Sequence, residues 1–160
     1  MKHVLMMALA AGALLFTACG GTPGPTGATG TNGNANVQQY TFGSRTVTGS
    51  TQYNIVGTTQ AQLDSSVFLS YSQLNQTWYP VPGVGEGAAY QARVNMYVLS
   101  GGLAYNVSLI TFTGATYSTP KTFESFRIIV VPASAVTTLS AKGVNFNDYN
   151  SVRKYYNLPE

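Results

Sequence analysis

Residues 89–112, AYQARVNMYVLSGGLAYNVSLITF, constrain the fold of this chain more than any other segment. Tyr90, Ala92, Val94, Met96 and Val98 fall at alternate positions, with Gln91, Arg93, Asn95 and Tyr97 between them. After Gly101 and Gly102 the alternation resumes through Leu103, Tyr105, Val107 and Leu109. A period of two places successive side chains on opposite faces of a strand, and paired glycines supply the backbone freedom of a tight turn. The segment predicts a β-hairpin with one apolar face, and such a hairpin needs further strands to cover that face.

Those strands are legible on either side. VQQYTF (residues 37–42), QYNIVG (52–57), SVFLSYS (66–72) and TWYPV (77–81) are short, rich in β-branched and aromatic residues, and divided by turn residues. In ESFRIIVVP (124–132) the run Ile128, Ile129, Val130, Val131 is continuously apolar, as expected of a strand buried on both faces. Pro132 ends it. The last segment changes period: Asp148 is placed to cap a helix, Tyr149, Val152 and Tyr156 recur at helical spacing, and Pro159 follows its end. The expectation is an all-β domain of about seven strands over residues 37–160, a β-sandwich or jelly roll closed by a short C-terminal helix. An up-and-down barrel is the competing arrangement.

The first 36 residues follow other rules. Lys2 and His3 precede an apolar run over residues 4–16, too short for the roughly 20 residues that span a bilayer but suited to a secretory signal. A buried helix is the alternative, and Gly20, Gly21 and Pro23 argue against its continuing. Phe16-Thr17-Ala18-Cys19, with Leu15 upstream, resembles the lipobox of bacterial lipoproteins, except that Phe16 stands where leucine is usual. The resemblance implies cleavage before Cys19, a diacylglycerol on its thiol and acylation of the new amino group. It also accounts for the only cysteine of the chain, which would otherwise be an unpaired thiol in an exported protein. Residues 1–18 are thus read as a signal peptide.

Glycine then recurs at every third position through the five triplets of residues 21–35. That is the collagen period, but five triplets with two prolines are too few for a stable triple helix. Extended at about 3 Å per residue they reach roughly 45 Å, so residues 19–36 are read as a lipidated cysteine and a flexible tether on a monomer rather than a trimeric stalk.

Composition narrows the chemistry. Charged residues are 8 % of the chain and the formal charge is +3 with no basic cluster, which excludes a nucleic-acid footprint. The one histidine, His3, belongs to the signal, so the mature chain has no imidazole for a Ser-His or Cys-His pair or for a zinc site. Asp64, Glu86, Glu124 and Asp148 are the acids of the folded region besides Glu160. A glycoside hydrolase built on two of them is a third reading, but no motif pairs any two. Calcium clusters and a phosphate-binding glycine loop are not expected either, since Gly83–Gly87 lacks a following lysine. No cofactor or metal is expected. Trp78 and Tyr79, beside Pro80 and Pro82, form a candidate aromatic platform for a glycan, although a lone tryptophan in a small β domain is commonly a core residue.

NANVQQYTF (34–42), TWYPVPG (77–83), FRIIVVP (126–132) and DYNSVRKYYNL (148–158), following a lipobox and collagen-like triplets, resemble a group of Bacteroidota-type envelope lipoproteins. The resemblance implies an outer-membrane lipoprotein held by its lipid, facing the periplasm or the cell surface, with a β domain of unknown activity. It implies no catalytic residue, and the partners it leaves open are a glycan or another envelope protein. Gly20-Gly21-Thr22 lacks the acidic residues that mark surface export in some such lipoproteins.

Overall fold

The structure, a computed structural model, describes residues 36–136 and 142–160. The signal, Cys19 and the glycine triplets lie outside the described residues. The described chain is mostly β, in antiparallel sheets, with a short helix near the C-terminus. Strands β1 (Gln38–Phe42), β4 (Ser66–Leu74), β5 (Thr77–Val81) and β10 (Ser125–Pro132) form one sheet in the order β1-β10-β4-β5. Strands β3 (Ser50–Val56), β6 (Gly83–Val84), β7 (Gln91–Leu99) and β8 (Gly102–Ile110) form a second, β3-β8-β7-β6. A two-stranded ribbon pairs β2 (Arg45–Val47) with β9 (Lys121–Phe123). Helix α1 (Gln60–Asp64) precedes β4, and α2 (Tyr149–Tyr156) closes the chain.

The hairpin forms as its alternation dictates. Leu99 pairs with Gly102, so Ser100 and Gly101 make the turn between β7 and β8. Glycine is required at 102: its φ is +154°, and a Cβ there would lie 2.3 Å from the Ile55 carbonyl oxygen on β3. The inward residues Tyr90, Ala92, Leu103, Tyr105, Val107 and Leu109 are buried in a core shared with Phe126, Ile128 and Val130 of the other sheet. Tyr53 stacks on Phe126 across that core, ring centroids 4.3 Å apart and nearly parallel. Met96 departs from expectation: it is 37 % exposed. Strand β6 covers only Gln91 and Ala92, so from Arg93 onward β7 is the edge of its sheet.

Strand β10 runs between β1 and β4 and is apolar on both faces because both are covered. Ile128 and Val130 enter the core between the sheets; Ile129 and Val131 enter a second core on the outer face, under α2. Each such side chain contributes about 1.5–3 kcal/mol on full burial. The helix is fixed at both ends. Asp148 accepts from the Asn150 N–H, as its sequence position predicted, and Asn157 adopts the left-handed conformation while Leu158 N–H donates to the Arg153 carbonyl. Tyr149, Val152 and Tyr156 are buried against Tyr71, Ile129 and Val131.

The structure has ten strands among the described residues rather than about seven. The additional ones, β2, β6 and β9, are three residues or fewer. Helix α1 was also not expected; Thr59 accepts from the Gln62 N–H while the Gln62 side chain accepts from the Thr59 N–H, a reciprocal cap that starts it.

Candidate functional site: a cleft between sheet and helix

Trp78 and Tyr79 do not share a surface. Trp78 lies opposite Gln73 and Tyr79 opposite Ser72 on β4, and adjacent strand positions point to opposite faces. Tyr79 packs on the core between the sheets; Trp78 packs on the outer core beneath α2. The two-residue platform therefore does not form. Trp78 is half-buried and borders an open cleft of about 300 Å³ between β4, β5, β10 and α2.

Two cations line the cleft with Trp78. Arg127, on β10 and opposite Tyr71, puts its guanidinium carbon 4.9 Å from the ring centroids of both Trp78 and Tyr149, which are themselves 4.3 Å apart. Its Nη1 donates to the Tyr149 hydroxyl, while its Nε is buried with no hydrogen-bond partner. Burial, and then the charge of Arg153, hold the Arg127 pKa below the usual arginine value, with Glu160 pulling the other way. Arg153, one turn along α2 from Tyr149, pairs with Glu160 at 3.1 Å. Among the described residues Arg127 forms no ion pair. Gln73 and Asn150 contribute side-chain amides to the cleft.

The arrangement is a cation held over two aromatic rings, a second cation paired with Glu160 and two amides. Such a set recognises an anionic or hydroxyl-bearing ligand. Apart from Glu160, the carboxylates of the described residues are engaged elsewhere: Glu86 with Asn75 and Lys121, Glu124 with the Gln76 N–H, Asp64 with Gln60, Asp148 at its cap. No group of three or more His, Cys, Asp or Glu comes together among the described residues. Three other depressions, at the β7–β8 turn and beside Pro82, are lined without a charged side chain. No helix among the described residues is long and apolar enough to cross a membrane.

Of the two candidate platform residues read from the sequence, Trp78 lines this cleft and Tyr79 does not. Arg127, Arg153 and Tyr149 were missed. Arg127 carried a signal: it is the charge immediately before the apolar run Ile128–Val131 and the only one within β10 (Ser125–Pro132). In comparisons with known proteins the chain matches no protein family, no curated protein and no solved structure.

Proposed function

We propose that this chain is an exported, lipid-anchored envelope protein of the Bacteroidota type, which presents a ligand-binding β domain without catalytic activity. Cys19 carries the lipid, residues 19–36 are the tether, and a monomeric domain stands at its end at the outer membrane. The two four-stranded sheets enclosing one core are read as a β-sandwich. The lipobox-like junction and the single cysteine support the anchor.

The observation that carries the binding role is Arg127, stacked on Trp78 and Tyr149 in an open cleft with no carboxylate paired to it. A half-buried cation held rigid without a counter-charge is a poor device for stability and a good one for recognition. Half-exposure of Trp78 beside a cleft also suits a glycan-binding role, now with Arg127 in place of Tyr79. A glycan array probed with the full chain tests this reading. Binding is expected that is lost in Trp78→Ala with the far-UV circular dichroism and the cooperative urea transition of the fold retained. Binding unaffected by the substitution would overturn it.

A further inference from the structure

Resting on the reading of this cleft as a binding site, we infer that its ligand is a carboxylate-bearing saccharide, and that Glu160 occupies part of the ligand's position within the molecule. The charge of the cleft selects an anion. Arg127 lines the cleft; one of its guanidinium N–H groups is on the Tyr149 hydroxyl, and its Nε is buried beneath the surface rather than offered to a ligand. The guanidinium is held over two rings and against the Tyr149 hydroxyl, and a guanidinium so placed favours a carboxylate as its acceptor.

The structure itself displays a carboxylate in this place. The chain after α2 turns at Asn157 and buries Leu158, and the Gln39 side-chain amide donates to the Pro159 carbonyl at 3.1 Å. That fastening brings the Glu160 carboxylate to Arg153, 3.1 Å away, at the mouth of the cleft. The Glu160 side chain is 88 % exposed. An ion pair so open to water is weak, so an incoming carboxylate displaces it at small cost.

The remaining lining favours a sugar over a peptide. No intramolecular hydrogen bond among the described residues uses the Gln73 or Asn150 side-chain amide, and amides of this kind match hydroxyl groups in both directions. A peptide would dock most simply by extending the sheet along the free edge of β5, but Pro80 in that strand offers no N–H. The volume of about 300 Å³ lies at the small end of ligand sites, which suits one or two sugar rings.

Trp78 is the only tryptophan of the chain, so its red-edge-excited emission reports on the cleft. The full chain in detergent is titrated with tri-galacturonate, with its methyl ester, and with tri-glutamate. Tri-galacturonate is expected to change the emission saturably and to bind at least about tenfold tighter than the ester. Arg127→Lys is expected to weaken it about tenfold, by removing the fork while keeping the charge. Arg153→Gln, at a half-buried position outside both hydrophobic cores, is expected to weaken it about threefold, and Glu160→Gln to tighten it by a similar factor. Equal affinity for acid and ester overturns the carboxylate inference and leaves the cleft as a neutral-sugar site. Tighter binding of tri-glutamate overturns the saccharide. No response to any probe overturns the inference, and the glycan array then judges the cleft independently.

Discussion

Tyr53 and Tyr105 face each other's strands in the same core, yet their hydroxyls have opposite fates. Tyr105 Oη lies 2.7 Å from Ser70 Oγ, which in turn donates to the Val81 carbonyl. Tyr53 Oη is buried with no partner. Losing a paired buried hydroxyl costs about 1 kcal/mol, whereas losing an unpaired one removes a desolvation penalty. Tyr105→Phe should therefore lower the unfolding free energy by about 1 kcal/mol, and Tyr53→Phe should leave it unchanged or raise it, as read from urea midpoints. The same burial pushes both phenols up to about 12, with Arg45 pulling Tyr53 partly back and Ser70 doing so for Tyr105. In the unfolded chain tyrosine titrates near 10. Between about 10 and 12 the unfolded chain releases protons that the native chain retains, so this contribution is complete below 10 and lost as pH rises through 12. Urea midpoints should fall between about pH 9 and about pH 11, and fall less in Tyr53→Phe.

Among the elements, α2 depends on its caps because only one of its faces is buried. Asp148→Ala removes the acceptor for the Asn150 N–H and should cost about 1 kcal/mol, measurable as a lowered urea midpoint; an unchanged midpoint would show that packing alone holds the helix. Elements with long periodic patterns were legible in the sequence. The β7–β8 hairpin, β5, β10 and α2 all stand where alternation, apolar continuity and a capping residue placed them. Strands β2, β6 and β9 were not legible, since two or three residues carry no period and their pairing is decided by what lies beside them. The reciprocal cap of Thr59 and Gln62 was present but preceded a helix of only five residues. The platform of Trp78 and Tyr79 failed on the same rule that found their strand: a period of two separates neighbours. Arg127 and Arg153 are 26 positions apart (153 − 127), in different elements, and only the seating of α2 on the outer face of β10 brings them to one cleft.

For the molecule as a whole, the proposed anchor is Cys19 and the proposed binding surface is the cleft of Arg127 and Arg153 on the outer face of a sheet. Cells fed a fatty-acid probe should label the wild-type chain and not Cys19→Ser; continued labelling of the variant would move the anchor elsewhere. The binding role rests on Trp78 lying at the ligand, and acrylamide quenching of its emission reads this most directly. In the free full chain Trp78 should be quenched to an intermediate degree, as a half-buried ring is, and a glycan bound by the chain should shield it. A bound glycan that leaves the quenching of Trp78 unchanged would place the ligand elsewhere and contradict the account.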